Sequence, residues 1–342
     1  MVNTTTAMAI EAPASALEAI QVPSQGPGRA QVLVQVEASG VCNADLGLAA
    51  AKEPATGFPI VPGHEVAGTI AAIGADVAGW SVGDRVAVGW FGGSCGHCAF
   101  CRTGDPVHCA ERRTPGVDYR GGWAETIVVP ADALARIPEG LDFADAAPMG
   151  CAGVTVFNAL RHAGVRAGGT VAVFGIGGLG HLAVSFSKAL GYRTIAISRG
   201  DERKPQALEL GAQSYIDSAT EDVPAALQRL GGADLIISTA SATDAVSGLV
   251  TGLRVGGRLT LVGVDGGRLT ISAVQLVMNR QVVTGSLTGS PRDIEETMEF
   301  AVTNGIRPVI ERMPLVQAEA ALNKLRHGGV RFRIVLEPGA EG

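Results

Sequence analysis

Residues 170–190 read TVAVFGIGGLGHLAVSFSKAL, and this stretch decides the fold of the C-terminal half. Residues 170–174 form a continuous apolar run, as expected of a strand buried on both faces. Gly175-Ile176-Gly177-Gly178-Leu179-Gly180 follows as a turn, and 181–190 has helical character. A GxGxxG pattern alone is weak evidence, because glycine-rich turns are common. Between a strand and a helix it becomes a dinucleotide fingerprint: small residues admit the pyrophosphate to the backbone, and the helix N-terminus favours its negative charge.

Working outward, strands are expected at 194–198, 213–217, 234–239, 258–264 and 282–286. Most are separated by helical segments, among them 204–210 and 222–230. Alternating β and α units imply a parallel sheet covered by helices on both faces. Upstream the pattern differs. Residues 31–37 (QVLVQVE) alternate apolar and polar, and 66–73, 85–89 and 125–129 read as further short strands punctuated by Gly, Pro and Asp. That spacing predicts an irregular β-rich domain. At the other end, 291–304 and 317–326 read as amphipathic helices, and 331–336 as a strand returning to the first domain.

The 342 residues suffice for two domains. A formal charge of −6, with no basic cluster, argues against a nucleic-acid partner. No apolar run is long enough to span a bilayer, and residues 1–14 lack the pattern of a signal peptide, so a cytoplasmic location is expected. The first eight or so residues read as a loose tail.

Six cysteines are present, four of them as Cys95-x2-Cys98-x2-Cys101-x7-Cys109. In a cytosolic chain, such spacing points to metal more than to disulfides. Zn²⁺ takes four ligands tetrahedrally, and cysteines on turns freed by Gly96 and Gly104 can converge on it. Four thiolates leave no open position, so the role would be structural. A disulfide pair, free thiols, or three thiolates with His108 are the alternatives; His97 and His108 otherwise read as bystanders.

Cys42, His64, Glu65 and Cys151 are dispersed. Each has a plain reading on its own: a buried thiol, a loop histidine or a cysteine at a helix start. Together they carry a resemblance. Gly63-His64-Glu65-x2-Gly68-x5-Gly74-x2-Val77, then Gly83-Asp84-Arg85-Val86, the cysteine quartet, Gly150-Cys151-Ala152-Gly153-Val154-Thr155 and the glycine loop occur in one order. This order resembles that of the zinc-dependent medium-chain alcohol dehydrogenases, in the bacterial alcohol and cinnamyl-alcohol-dehydrogenase-like branch, over residues 29–338.

The resemblance implies an α/β architecture: a GroES-like β-rich catalytic domain at 1–152 and 288–342, and a Rossmann doubly wound parallel sheet at 153–287. Substrate would bind in the cleft between them. It implies two zinc ions, one structural on the quartet and one catalytic on Cys42, His64 and Cys151, with water or substrate in the fourth position. Two thiolates and an imidazole balance the charge yet leave a Lewis acid. By the same resemblance Asp45 orients the ligand histidine, Glu65 sits beside the zinc as a transient ligand, Thr155 contacts the nicotinamide side, Val262 and Val264 lie along its ring, and Arg333 reaches the pyrophosphate. The expected reaction is hydride transfer between a nicotinamide cofactor and an alcohol or aldehyde, by a homodimer or homotetramer. Trp90, Phe91 and Trp123 are candidates for the apolar wall of the substrate site.

An NAD enzyme usually carries Asp or Glu at the end of the second Rossmann strand, for the ribose 2′-hydroxyl. Counting from the glycine loop and Gly211 puts Ser198 there, followed by Arg199, with Arg203 and Lys204 nearby. Cations without a carboxylate suit a 2′-phosphate, so NADP(H) is favoured over NAD(H). One departure stands out. Where many alcohol dehydrogenases place a hydroxyl and a histidine that relay the alcohol proton, this chain has Ala44 and Gly47, and neither can carry a proton. Either another route replaces the relay, or the substrate is an iminium ion or a conjugated enal; a non-catalytic zinc and nucleotide binder is a more distant reading.

Overall fold

The computed structural model describes residues 4–54, 56–263 and 265–340. In chain order the strands are β1 (Thr4–Ile10), β2 (Leu17–Pro23), β3 (Gln31–Val41), β4 (Val66–Ile73), β5 (Arg85–Val88), β6 (Thr126–Pro130), β7 (Leu134–Arg136), β8 (Thr170–Phe174), β9 (Arg193–Ser198), β10 (Ser214–Asp217), β11 (Ala233–Ser238), β12 (Leu253–Leu261), β13 (Val282–Gly285), β14 (Ile310–Pro314) and β15 (Arg333–Glu337). The chain forms two compact units, Met1–Val154 with Thr288–Gly342, and Thr155–Leu287.

The second unit is a six-stranded parallel sheet in the order β10-β9-β8-β11-β12-β13. The order reverses between β8 and β11, the kind of crevice where open α/β sheets take ligands at their carboxyl ends. β8 is buried at all five positions, as its unbroken apolar run requires. Its partners supply Ile195, Ile197 and Ile236 to one core, which Leu259 of β12 joins.

The first unit carries a seven-stranded sheet, six strands in the order β14-β15-β3-β4-β5-β7 and the seventh, β6, also on β3. β3 alternates Val32, Val34 and Val36 inward, and these pack with Val66, Ile70, Val86 and Val129. The C-terminal strand does return here: β15 pairs antiparallel with β3, setting Ile334 against Val41.

The N-terminus corrects the loose-tail expectation. Thr4–Ile10 is a strand, paired in register with Leu17–Pro23, and Ala7, Met8, Ala9 and Ile10 are buried. The Met8 amide donates to the Trp123 carbonyl at 2.8 Å, and Ile10 exchanges amide bonds with Ile60 at 2.9 Å. The stretch is ordered by distant partners, which a local reading does not see.

Candidate active site and metal centres

Cys42 ends β3's excursion and stands just before the helix Asn43–Ala49. Its amide donates to Asp45 Oδ2 at 2.8 Å, so Asp45 closes the first turn of that helix. Asp45 Oδ1 also lies 3.3 Å from His64 Nδ1, with both side chains fully buried. This contact turns Nε2 away from the carboxylate. His64 follows Gly63, whose φ of +103° and close approach to Trp123 exclude any side chain. Glu65 lies across from Gly40, where a Cβ would overlap the Glu65 carboxylate. Cys151 is set by the touching backbones of Gly89 and Gly150.

These elements bring one donor atom each from Cys42, His64, Glu65 and Cys151 within 4.8 Å of one another. Both His64 nitrogens and Glu65 Oε1 are buried without a hydrogen-bond partner, a cost that a bound cation removes. Arg333, on β15, donates to Glu65 Oε2 and is 4% exposed. It therefore belongs to this cluster through Glu65.

The electrostatics favour positive charge here. The hydrogen bond from Cys151 holds the Cys42 thiol well below its ordinary pKa against the opposing effect of burial, while the same bond, with burial, pushes Cys151 up. Both thiols ionise together only beside a cation. Burial opposes charging His64, but Asp45 and Cys42 outweigh it and raise its pKa. Burial lifts Glu65 to about 7 in spite of Arg333. Trp90 packs edge-on against the His64 ring, with centroids 4.8 Å apart and planes at 84°. Phe91 and Trp123 belong to the core instead: they are 2% and 0% exposed, and Trp123 Nε1 donates to the Gly40 carbonyl at 3.2 Å.

The quartet converges as well. Cys95 to Cys101 is 3.9 Å, Cys98 to Cys101 3.5 Å and Cys95 to Cys109 3.6 Å between sulfurs. Four sulfurs about 2.3 Å from a tetrahedral zinc stand about 3.8 Å apart, whereas a disulfide needs about 2.05 Å. All six cysteines are free thiols. A hydrogen bond from Ser94, helped by Cys98, draws the Cys101 thiol down to about 6. His108 turns to Asp105 at 2.8 Å, which leaves it out of the sulfur cluster. His97 is exposed, with Nδ1 2.8 Å from the Cys95 carbonyl; with Cys95 and Glu111 it forms a looser group.

In the second unit, Gly175 has φ of +93° and Gly180 meets the Gly175 carbonyl so closely that a Cβ would overlap it. Gly177 and Gly178 complete the turn, Leu179 precedes the helix Gly180–Ala189, and open space surrounds Gly177 up to the Arg203 guanidinium. Arg203 donates to the Ile176 carbonyl. Ser198 ends β9, and it lines a cavity of about 630 Å³ with Gly175, Arg199, Asp222 and Ala240. Asp217, at the end of β10, is occupied by the amides of Ala219 at 2.8 Å and Gly200 at 2.7 Å, which lower its pKa. Asp222 caps its own helix through the Ala225 amide at 2.9 Å. Lys204 is exposed at the start of the helix Lys204–Glu209, and Arg199 is exposed beside Ser198. Thr155 is buried in the helix Ala152–Arg161, and the Val262 amide donates to Ser238 O at 3.0 Å. Val264 lies outside the described residues.

The sequence reading missed Gly40 and Gly89, whose lack of side chains makes room for the cluster; neither lies in a local pattern that announces such a role.

Comparison with known proteins accords with this arrangement. The family described as "Alcohol dehydrogenase GroES-like domain" matches residues 28–139, and "Zinc-binding dehydrogenase" matches 178–303. An alcohol dehydrogenase of Aspergillus sp. (strain MF297-2) is 41% identical over 319 residues, covering 92% of each chain. One from Geobacillus stearothermophilus is 36% identical over 324 residues, covering 94% of this chain and 96% of the other. Among solved structures, a cinnamyl alcohol dehydrogenase from Sorghum bicolor superposes with a TM-score of 0.90 at 31% identity, over 99% of both chains. The Helicobacter pylori enzyme CAD, complexed with NADP(H), superposes at 0.87 with 27% identity, over 98% of this chain and 99% of the other. The two units are accordingly a GroES-like domain and a Rossmann-like parallel sheet. With both halves matched and relatives aligned along nearly its full length, this chain belongs to the zinc-type medium-chain dehydrogenase/reductase family and is an oxidoreductase of the alcohol dehydrogenase type.

Proposed function

We propose that the chain catalyses the reversible reduction of aldehydes to alcohols with NADP(H), and that it carries two zinc ions. The observation that carries this reading is the convergence of Cys42, His64 and Cys151, with His64 Nε2 buried and without a hydrogen-bond partner. Zinc held by these three residues would supply a Lewis acid that polarises the substrate oxygen. Asp45 would hold the His64 ring so that Nε2 faces the donors. Arg333 would keep one oxygen of Glu65 engaged and leave Oε1 free to approach the donors. The Trp90 ring beside His64 would exclude water and narrow the approach to the ligands. Cys95, Cys98, Cys101 and Cys109 would hold the second ion, bracing their lobe.

For the cofactor, Gly175, Gly177, Gly178, Leu179 and Gly180 would take the pyrophosphate, with Thr155 and Val262 on the nicotinamide side. Ser198 and Arg199 on the cavity, with Arg203 and Lys204 close in sequence, favour a 2′-phosphate. The carboxylates near this edge support the same preference, because Asp217 and Asp222 are engaged by backbone amides. The NADP(H) complex of the Helicobacter relative agrees with that choice.

Gly47 favours a second reading. A Cβ there would meet nothing within 4 Å, and Ala44 offers no hydroxyl, so the alcohol proton lacks a side-chain relay. An iminium ion or conjugated enal would need less proton delivery at oxygen. Oxidation of NADPH against aliphatic aldehydes, aromatic aldehydes, enals and cyclic imines separates the two. Fast aldehyde turnover supports the first reading; turnover confined to imines or C=C bonds supports the second.

The reading includes a homo-oligomer. β13 is an edge strand, and the preceding helix Ala273–Asn279 exposes Val274, Val277 and Met278 at 71–75%. Such a patch beside an unpaired edge favours pairing with a second copy. Sedimentation at micromolar concentration tests it: a dimer or tetramer is expected, and a monomer would overturn it.

A further inference from the structure

A second cavity, of about 310 Å³, lies within the first unit between the β1–β2 hairpin and strands β3 and β6. None of the residues proposed for catalysis or metal binding lines it. Its floor is apolar, with Val22, Leu33, Val61 and Ile127. Its charged groups are both cationic. Arg113 and Arg120 line it, and neither forms an ion pair among the described residues. Arg113 lies 6.0 Å from the Tyr119 ring centre, and Arg120 makes one long contact, 3.4 Å, with the Pro23 carbonyl. Gln31 spends its carbonyl oxygen on the Gly28 amide at 3.0 Å, so its amide nitrogen is left to donate. No Asp or Glu lines the cavity among the described residues. Glu125, between two lining residues, is engaged by the Thr6 amide at 2.8 Å and the Thr5 hydroxyl at 3.2 Å.

Two guanidinium groups and an amide donor over an apolar floor, with no carboxylate among the described lining residues, complement an anion that has a hydrophobic body. We infer that this cavity binds a small organic carboxylate, its head on Arg113 and Arg120 and its body against Val22, Leu33, Val61 and Ile127. The size matches a compact ligand, since small-molecule sites begin at about 300 Å³. The cavity also touches the segment that presents the metal ligands. Val61 lines it, the Gly121 amide donates to the Val61 carbonyl at 2.8 Å, and His64 follows three residues on.

The test is calorimetric titration of benzoate and inorganic phosphate into the zinc-loaded protein and into Arg113→Gln/Arg120→Gln. Both arginines are exposed and take no part in the proposed catalysis, so the variant should keep its melting temperature and its basal turnover. The site predicts saturable benzoate binding, weakened at least about tenfold in the variant, with phosphate weaker than benzoate. Equal benzoate affinity in both proteins would place the anion elsewhere, on the metal cluster for example, and would overturn the assignment. So would the absence of saturable binding, or binding of phosphate alone.

Discussion

Oδ1 of Asp45 lies 3.3 Å from Nδ1 of His64, and Oδ2 of the same carboxylate accepts the Cys42 amide at 2.8 Å. One buried side chain thus fixes two of the donors in the cluster. Replacing Asp45 with Asn keeps the shape but removes the charge behind the imidazole. The expected result is about 10- to 100-fold weaker zinc retention at this site, read as faster metal loss to a chelator. Unchanged retention would assign Asp45 to the helix turn alone.

The two clusters should fail differently. Cys151→Ala removes a donor from a site walled by buried core, Val88, Met149 and Ala152 among it, so turnover should vanish while the melting temperature shifts little. Cys98→Ser takes one thiolate from the four sulfurs that gather residues 95–109, so zinc loss should come with a clear drop in melting temperature. Metal analysis should fall from two zinc ions per chain to one in each variant. Equal stability losses would reject the division into catalytic and structural sites.

Arg199→Asp places a carboxylate beside Ser198 on the wall of the 630 Å³ cavity. It should lower kcat/KM for NADPH by about tenfold or more and spare NADH, as repulsion from a 2′-phosphate requires. An equal change for both cofactors would move the 2′-phosphate away from Arg199.

Gly47 has open space where a side chain would stand, so a relay can be installed there. Ala44→Ser/Gly47→His should raise alcohol oxidation near neutral pH, by up to about 100-fold if proton transfer limits the rate. No gain on alcohols, with imine or enal turnover intact, would favour the second reading of the substrate.

Tyr119 supplies a pH dependence remote from the metal ligands. Its hydroxyl donates to the Gly92 carbonyl at 2.9 Å, and burial pushes its pKa up. In the unfolded chain tyrosine ionises near about 10. Above that pH the unfolded state sheds a proton that the folded state keeps, so stability is full below about pH 10 and falls as pH rises. Denaturant midpoints measured between pH 8 and 11 should show the fall, and Tyr119→Phe should flatten it while being less stable at pH 8.

Much of the fold was legible because its signals are local. Val66–Ile73 and Thr170–Phe174 coincide with the expected strands, each a mostly apolar stretch closed by glycine. β12 begins at Leu253, five residues ahead of the expected 258, because Val255, Gly256 and Gly257 interrupt the pattern of a buried strand. The β1–β2 hairpin was missed because its order comes from Ile60 and Trp123, far along the chain. The site divides the same way. The quartet could be read from spacing alone, whereas Cys42, His64 and Cys151 needed the family pattern to join them. The Glu65–Arg333 pair spans 268 positions, and nothing local in either segment announces it.

The most direct test of the central claim is anomalous diffraction at the zinc edge from crystals of the intact chain. The account predicts two peaks per chain, one inside Cys95, Cys98, Cys101 and Cys109, the other bounded by Cys42, His64 and Cys151. A single peak in the cysteine quartet, from protein that reduces aldehydes with NADPH, would contradict it.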